Sequence, residues 1–323
     1  TITNGTFMED AEEYASDQIV GRDFWVALKA WSERLSGKQE NNGVYFGKED
    51  TLLNRVDTPS QEELGKRLGY VDALVGNVSV PVYLGLIPSS SAVWSDRLPT
   101  GAPTADELKL IEDFYFNTGA QTVDMAGALL AHKDEDIYYR TDHHWTSLGA
   151  FYGANALFEA MGLEPLNLSD YEKTTVTTEF YGTTFSTSGV RWVHPDSIDT
   201  YISGDGVKVT SWFTGQPEEG SLYVDSYLDK KDKYSYFLGG NQSLCVIETE
   251  HTDAPKVLVI RDSYSDSLAP FLTQSFSEIH LFDTRYNLTS VKDYVEQNDI
   301  DQVVVLYSFQ NFATDQNLFV LGR

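Results

Sequence analysis

Short apolar runs alternate with longer amphipathic stretches along most of the chain. Two of these runs, VLVI at residues 257–260 and VVVL at residues 303–306, are continuously apolar, and a stretch with helical spacing follows each. A strand buried on both faces gives such an unbroken run, whereas a strand with one wet face alternates. The pattern therefore predicts an α/β fold whose parallel sheet is covered by helices on both sides.

Three helices between the predicted strands can be delimited. The stretch SQEELGKRLGYVDALV begins with Ser60 and has Glu63 three positions later, which is the capping-box pattern. Thr104 is the expected N-cap of the helix in PTADELKLIEDFYF. A further helix is expected from Ser147 to Met161, with ends defined to about 2–4 residues.

Two regions depart from this alternation. Residues 1–36 are predicted to form an N-terminal helical segment, because four apolar residues recur there at helical spacing. These are Phe24, Leu28, Trp31 and Leu35. Residues 166–250 are rich in Thr, Ser, Tyr and Gly and contain alternating runs such as VKVTSWF, which indicate short antiparallel strands. We therefore expect an α/β domain over residues 37–323 with a mostly β insertion at about 166–250.

The net charge of −26 limits the partners to consider. So acidic a surface repels nucleic-acid phosphates and anionic lipid headgroups, so neither is expected to bind. The chain contains no run of 18 apolar residues, and no membrane span is predicted. Because the sequence starts at TITNG without methionine, we expect a signal or anchor segment to have been removed. The single cysteine, Cys245, lies in the apolar run SLCVIE and is expected in the core.

Ligands of an open parallel sheet gather at the carboxyl ends of its strands. Four predicted strands end in polar groups of this kind, at residues 88–91, 261–264, 283–286 and 308–311. Ser263 is distinctive because it lies between a buried strand and a predicted helix start, near N–H groups that can stabilise an oxyanion. The commoner role of a serine at such a position is only to cap the helix.

A serine nucleophile needs a base and a group that orients the base, and the stretch YYRTDHHWT contains both types. In an extended segment residues two apart face the same way, so Asp142 and His144 are expected to project together and His143 to point away. Asp142 then holds one nitrogen of His144 while the other faces a hydroxyl. Trp145 either walls the site or packs beneath the next helix.

Two other interpretations of this stretch stay open. Asp142, His143 and His144 are residue types that ligate metals, although adjacent histidines diverge and no second histidine stands at a metal-binding spacing. The stretch is also compatible with a purely structural role, in which Asp142 interacts with the start of the next helix and the histidines pack.

These motifs together resemble the DHHW family of bacterial proteins, which is akin to the alginate O-acetyltransferase proteins with an SGNH-hydrolase-like domain. The similar pieces occur in the family's order over most of the chain. They are VYFGKEDTLL, YLGLIPSSSAVWSDRLP, YYRTDHHWT, VIRDSYSDSLAPFL and LFDTRY. Five ordered pieces are far more specific than the DHHW letters alone.

The resemblance implies a three-layer, flavodoxin-like α/β domain of the SGNH-hydrolase type. It makes Ser263 the nucleophile, His144 the base and Asp142 its orienting group. Because the serine follows the Asp/His pair instead of preceding it, the motif order is circularly permuted. Arg285 matches a family arginine and is expected to meet an anionic substrate group. Tyr264 and Trp145 are further candidates for contact with substrate. For Arg285 an ion pair with Asp283 or Asp262 is an equally good interpretation.

The asparagine that usually helps to form the oxyanion hole of SGNH hydrolases is missing, because the chain has no G-x-N-D block. The candidates to replace it are Asn311, Asn117 and the backbone N–H groups around Tyr264 and Gly182.

The function implied is acetyl transfer to, or ester hydrolysis on, an extracellular or cell-wall polysaccharide, outside the cytoplasm. No cofactor and no metal are expected, and a membrane-bound protein is implied as the acyl donor. One alternative is a non-catalytic carbohydrate-binding or scaffold protein on a degenerate SGNH fold. Another alternative is a metal-dependent hydrolase.

Overall fold

The structure is a computed structural model that describes residues 31–32, 37–213 and 215–323. The helical segment predicted for residues 1–36 lies outside these ranges except for Trp31 and Ser32. The first described strands are β1 (Glu40–Asn41), β2 (Val44–Phe46) and β3 (Leu52–Asn54), which form a small antiparallel sheet. Across the described ranges, no helix combines the length and the apolar character needed to cross a membrane.

Five parallel strands form one part of the main sheet. They are β4 (Val82–Ile87), β5 (Gln121–Thr122), β11 (Lys256–Arg261), β12 (Glu278–Phe282) and β13 (Gln302–Ser308). Their order in the sheet is β5-β4-β13-β11-β12. The apolar runs VLVI and VVVL lie in β11 and β13, which pair in parallel. The parallel pairing predicted from those two runs is therefore confirmed.

Antiparallel strands from the 166–250 region extend the same sheet, which has eight strands in total. They are β8 (Lys208–Trp212), β9 (Pro217–Gly220) and β10 (Leu244–Glu248). β10 pairs with β12 on one side and with β8 on the other, antiparallel in both cases. The fold is therefore mixed α/β with a large mixed sheet, whereas the apolar runs alone had predicted a parallel one. Two further strands of this region, β6 (Thr174–Phe180) and β7 (Asp196–Thr200), pair with each other.

Helices pack against both sides of the main sheet. Alternate side chains of a strand point to opposite sides, so each buried strand contributes to two cores. Val257 and Val259 belong to the core on one side, and Leu258 and Ile260 to the core on the other. The first core includes α4 (Met125–Ala131), α5 (Ser147–Met161) and α7 (Tyr264–Leu272). The second includes α1 (Gln61–Asn77), α3 (Glu107–Asn117), α8 (Val291–Gln297) and α9 (Phe309–Thr314). Two short helices, α2 (Ser90–Val93) and α6 (Thr183–Ser188), follow β4 and β6. Cys245 is buried and free, as expected.

Local hydrogen bonds explain where the helices begin. Ser60 and Glu63 form the predicted capping box of α1. The expected start and end of α5 are also confirmed. The prediction that Thr104 caps α3 is wrong, because Asp106 is the cap and its side chain accepts a hydrogen bond from Lys109 N. The Thr104 hydroxyl instead accepts a bond from Val56 N, at the end of the β3 segment (3.4 Å).

Candidate active site

The turn after β11 carries Ser263 at the carboxyl edge of the sheet. Ser263 is the N-cap residue of α7, but its side chain makes no capping hydrogen bond. Its Oγ lies instead 2.8 Å from Nε2 of His144, which is 119 residues earlier in the chain. The hydroxyl is therefore directed at an imidazole and does not serve the helix.

The stretch that contains His144 is a tight turn. Tyr138 and Trp145 form an isolated antiparallel bridge, and the chain reverses between them. The His144 N–H donates to Asp142 Oδ1 (3.0 Å), and the same oxygen lies 2.5 Å from His144 Nδ1. The prediction of an extended segment is wrong here, yet Asp142 and His144 still meet, because a carboxylate that accepts the N–H two residues ahead folds the chain back on itself.

Asp142 is buried and held from a second direction by α6. Its Oδ2 accepts hydrogen bonds from Thr183 N (2.7 Å) and Thr183 Oγ1 (2.9 Å). Burial alone raises the pKa of Asp142, but the charges of His143 and His144 and the donated hydrogen bonds outweigh it and hold the pKa well below its usual range. The ionised carboxylate selects the tautomer of His144 that carries its proton on Nδ1 and leaves the Nε2 lone pair towards Ser263.

Gly182, which precedes α6, is what allows Thr183 to approach Asp142. A Cβ atom at residue 182 would lie 2.2 Å from the Cβ of Asp142. Thr183 was missed from the sequence because it lies 41 residues from Asp142 and belongs to a different element. The glycine immediately before a threonine was the only local signal.

His143 does not point away from the site, contrary to the expectation for an extended segment. Its ring centroid lies 3.8 Å from that of His144, and its Nδ1 lies 2.7 Å from Thr183 Oγ1. Since the single hydroxyl proton of Thr183 is donated to Asp142, His143 Nδ1 must be the donor to Thr183. Burial and the neighbouring His144 lower the pKa of His143, which favours its neutral form.

Trp145 and Tyr264 join the turn to α7 from inside the protein. The indole N–H of Trp145, whose side chain is fully buried, donates to Tyr264 O (2.9 Å) and Ser267 Oγ (3.1 Å). Tyr264 is also buried, and its hydroxyl donates to His143 O. Both side chains were expected to contact substrate, but in this structure they are buried and support the site from beneath.

Arg285 follows the end of β12, which is the strand next to β11 in the sheet. Its guanidinium pairs with Asp283 through Nη2 and Oδ2 (2.6 Å) and through Nε and Oδ1 (2.9 Å). This is the ion pair that the sequence offered as an alternative to substrate binding. The side chain keeps 31% of its surface exposed, so its outer edge remains open to solvent.

Asp262 organises the edge next to Ser263. Its Oδ1 accepts from Tyr264 N (3.1 Å). Its Oδ2 accepts from Ser308 N (3.0 Å), Ser308 Oγ (2.7 Å) and Asn311 Nδ2 (2.8 Å). The carboxylate thereby ties the end of β11 to the end of β13 and to α9.

Four of the donors suggested from the sequence for an oxyanion hole make other hydrogen bonds. Asn311 Nδ2 and Tyr264 N donate to Asp262. Gly182 N donates to Thr141 Oγ1 (3.2 Å), and Asn117 Nδ2 donates to Asp113 O (2.6 Å). A reacting acyl group therefore has to share one of these donors or use another.

Asp142, His143 and His144 also have the residue types of a metal site, and their ligand atoms lie within 4.8 Å of one another. Nδ1 of His143, both ring nitrogens of His144 and both oxygens of Asp142 already make hydrogen bonds to Thr183, to Ser263 or to each other. An ion would have to displace these bonds. The hydrogen-bonded geometry fits proton transfer better than ion binding.

A groove of about 310 Å³ opens beside Asp142 and adjoins a second of about 610 Å³. The two share the lining residues Tyr181, Ser186, Thr187 and Lys231. The second groove adds Phe185 and the cationic side chains Arg191, Lys230 and Lys233. Aromatic and cationic groups are thus gathered here on a protein whose net charge is −26.

Comparison with known proteins identifies relatives by sequence. A model of the DHHW protein family matches residues 111–282. The probable alginate O-acetylase AlgJ of Pseudomonas syringae pv. tomato is 25% identical over 173 residues, which are 50% of this chain and 44% of AlgJ. The chain thus matches less than half the length of that relative.

Solved structures show the same fold. A DHHW family protein from Eubacterium siraeum superposes with a TM-score of 0.77 at 26% identity, over 87% of this chain and 95% of that one. PatB1 of Bacillus cereus, solved with a sulfonyl adduct, gives 0.69 at 20% identity over 85% and 96%. The O-acetyltransferase domain of Pseudomonas putida AlgJ gives 0.52 at 16% identity over 84% and 93%. Since the family model matches more than half of the chain and includes the Asp142–Trp145 motif, the protein belongs to the DHHW family.

Proposed function

We propose that this protein transfers an acetyl group from a donor ester to a polysaccharide hydroxyl, or hydrolyses such an ester, through a Ser263–His144–Asp142 triad. The observation that carries the proposal is the 2.8 Å contact between Ser263 Oγ and His144 Nε2, with Asp142 2.5 Å from the other ring nitrogen. A nucleophile, a base and an orienting group in hydrogen-bond contact are the constellation that acyl transfer needs.

The reaction has two half-reactions. Ser263 Oγ attacks the acetyl carbonyl carbon while His144 Nε2 accepts the hydroxyl proton. When the tetrahedral intermediate collapses, the bond to the donor alcohol breaks and the imidazolium returns the proton to that alcohol, which leaves an acetyl-Ser263 ester. An acceptor hydroxyl then gives its proton to His144 and attacks the acetyl group, and Ser263 recovers a proton. With water as acceptor the product is acetate. No cofactor takes part.

The polysaccharide acceptor is proposed from two observations. Relatives of this chain include a protein named as an alginate O-acetylase. The joined grooves beside Asp142 offer aromatic faces and hydrogen-bonding side chains, which suit sugar rings. We further propose an extracellular or cell-wall polysaccharide, an extracytoplasmic location and a membrane-bound protein as acyl donor.

The finer description of the fold is part of the same proposal. Residues 37–323 form a three-layer SGNH-type domain with circularly permuted motif order and an insertion at about 166–250. Helices on both sides of a central parallel half-sheet support it. Arg285, through its exposed edge, is the remaining candidate for contact with an anionic substrate group.

Hydrolysis of 4-nitrophenyl acetate tests the mechanism. We expect the wild type to release nitrophenol and Ser263→Ala to lose at least about 10³-fold in kcat. The matched control is Ser265→Ala, which removes a buried hydroxyl from the same turn that has no hydrogen-bond partner among the described residues. Equal turnover by wild type and Ser263→Ala excludes Ser263 as the nucleophile.

A sulfonyl fluoride provides a second readout, because such reagents sulfonylate activated hydroxyl groups. PatB1, which has the same fold, has been solved as a sulfonyl adduct. We expect phenylmethanesulfonyl fluoride to add one sulfonyl group to the wild type at Ser263, measured by peptide mass spectrometry, and none to the Ser263→Ala variant. Labelling at another residue contradicts the assignment.

A non-catalytic carbohydrate-binding protein is the second candidate, favoured by the hydrogen bonds that Asn117, Gly182 N, Tyr264 N and Asn311 already make to other groups. It predicts glycan binding with no turnover and no sulfonylation.

The metal alternative rests on the close approach of Asp142, His143 and His144. It predicts stoichiometric metal in the purified protein, and turnover that a chelator abolishes and added zinc restores.

A further inference from the structure

Tyr234 covers the imidazole of His144. The two rings are stacked, with centroids 3.7 Å apart and planes 7° from parallel. Tyr234 belongs to a short 3₁₀ helix, Tyr234–Tyr236, within the 166–250 region. His144 lies in the tight turn that contains Asp142–Trp145, here called the DHHW turn. A side chain from the region that extends the sheet therefore reaches the centre of the proposed triad.

The hydroxyl of Tyr234 anchors the ring to the nucleophile's own turn. It lies 3.0 Å from Ser263 O and 3.1 Å from Ser267 Oγ. Because Ser263 O can only accept, Tyr234 donates to it and accepts from Ser267, whose oxygen in turn accepts from the Trp145 indole (3.1 Å). Burial raises the pKa of Tyr234 well above its usual value, so the hydroxyl stays protonated and remains a donor.

The stack restrains a motion that the triad's hydrogen bonds leave free. Asp142 lies 2.5 Å from Nδ1 and Ser263 lies 2.8 Å from Nε2. A ring held at two such points can still tilt about the line that joins them, and tilting spoils the alignment of the Nε2 lone pair with the Ser263 hydroxyl. A parallel aromatic face at 3.7 Å blocks the tilt. The same face also attracts the imidazolium that forms during the reaction.

We propose that Tyr234 is a positioning residue for proton transfer between Ser263 and His144, and that the 166–250 region completes the site through it. The proposal rests on the acyl-transfer function proposed above. The aromatic ring carries the effect and the hydroxyl only fixes the ring, so the two parts can be separated by substitution.

Steady-state kinetics with 4-nitrophenyl acetate separate them. Tyr234→Phe loses the two hydrogen bonds of the hydroxyl but keeps the stacked ring, so it is expected to retain kcat within about threefold. Tyr234→Leu loses the stack and is expected to lower kcat by about 10- to 100-fold, with KM within about twofold, because misalignment affects the chemical step and leaves binding intact.

Tyr236→Leu is the matched control. Tyr236 lies in the same 3₁₀ helix, is as buried as Tyr234 (5% against 6% exposed) and stacks on Tyr223 instead of the triad. It is expected to lose stability as Tyr234→Leu does and to keep kcat within about threefold. A folded Tyr234→Leu variant with wild-type kcat overturns the proposal, and so does an equal loss of kcat in Tyr236→Leu.

Proton NMR of the histidine rings provides a readout that needs no turnover. A face-to-face aromatic ring shields the protons beneath it, so the His144 Hε1 signal, assigned by its loss in His144→Gln, should lie upfield. It should move downfield in Tyr234→Leu and stay in place in Tyr234→Phe, Tyr236→Leu and Ser263→Ala. If wild type and Ser263→Ala prove equally active, the acyl-transfer proposal fails by itself. An unshifted signal in Tyr234→Leu shows instead that Tyr234 does not hold the ring.

Discussion

The DHHW turn and the turn at Asp262–Tyr264, here called the serine turn, contain the same local hydrogen bond but serve different purposes. Asp142 Oδ1 accepts from the N–H of His144, two residues on (3.0 Å), and Asp262 Oδ1 accepts from the N–H of Tyr264, two residues on (3.1 Å). The oxygen of Asp142 that shapes its turn also meets an imidazole, whereas the second oxygen of Asp262 binds groups at the end of β13 and on α9. The turn is thus common to both, and only the additional partners distinguish them.

The difference has an energetic consequence. Through Oδ1, Asp142 meets an imidazole that must gain and lose a proton, and through Oδ2 it binds Thr183 of α6, so its removal should affect the reaction more than the fold. Asp262 accepts three hydrogen bonds on its second oxygen, all from groups that hold strand and helix ends in place. Its removal should affect the fold more than the reaction.

The largest expected effect is that of Asp142→Asn on activity. The amide no longer stabilises the imidazolium and disturbs the tautomer of His144, so kcat should fall by about 10³- to 10⁴-fold. The free energy of unfolding at pH 7 should fall by only about 1–2 kcal/mol. Aryl acetate turnover and urea denaturation measure the two quantities. A large loss of stability with activity retained reverses the assigned role.

Asp262→Ala should show the opposite pattern. Four hydrogen bonds to a fully buried carboxylate are lost, so the free energy of unfolding should fall by about 2–4 kcal/mol. The folded fraction should keep kcat within about tenfold, because the contact between Ser263 and His144 does not pass through Asp262. If Asp262→Ala loses as much kcat as Asp142→Asn while staying folded, the two turns do not divide the work in this way.

Glu107 is another buried carboxylate near this edge. Its hydrogen bonds among the described residues come from Ser89 N (2.6 Å) and Ser89 Oγ (2.9 Å), which are both neutral groups. Burial raises its pKa from 4.5 to about 7, and these hydrogen bonds only partly oppose the rise. For Asp142, by contrast, the nearby histidines drive the pKa below its usual range. Charged neighbours, more than burial, therefore decide which carboxylate is ionised.

Glu107→Gln should make this contrast visible as a function of pH. Between about pH 4.5 and pH 7 the unfolded chain releases the Glu107 proton while the folded protein keeps it, so wild-type stability falls as pH rises through that window. Glutamine keeps both hydrogen bonds and cannot ionise. The variant should therefore be more stable than wild type by about 2–3 kcal/mol at pH 8, and similar to it at pH 4. Denaturation at the two pH values measures this, and an equal difference at both contradicts it.

The parallel strands and the three triad residues could be predicted from the sequence, and the reasons can be given. The VLVI and VVVL runs predicted parallel strands because burial on both faces leaves a local signature. Ser263, His144 and Asp142 could be named because their residue types and the strand-end rule converge, and their side chains lie in hydrogen-bond contact. Thr183 and Tyr234 could not be named, since their contacts with the site cross 41 and 29 residues between different elements. His143 was misplaced because the alternation rule fails where the chain turns.

The smallest expected effect concerns His143, the partner of His144 in the motif. The hydrogen bond from His143 towards Asp142 is indirect: His143 donates to the Thr183 hydroxyl, which in turn donates to Asp142 Oδ2, while His143 Nδ1 itself stays 3.7 Å from Asp142 Oδ1. Loss of one such indirect hydrogen bond is worth about 1 kcal/mol, so His143→Ala should lower kcat by about fivefold. His143→Asn carries an amide N–H near the position of Nδ1 and should recover most of the loss. Under the same assay His144→Gln should lose at least about 10³-fold, because it removes the base itself. Comparable losses for the two histidines mean that His143 takes part in the proton transfer directly, which the interposed Thr183 hydroxyl argues against.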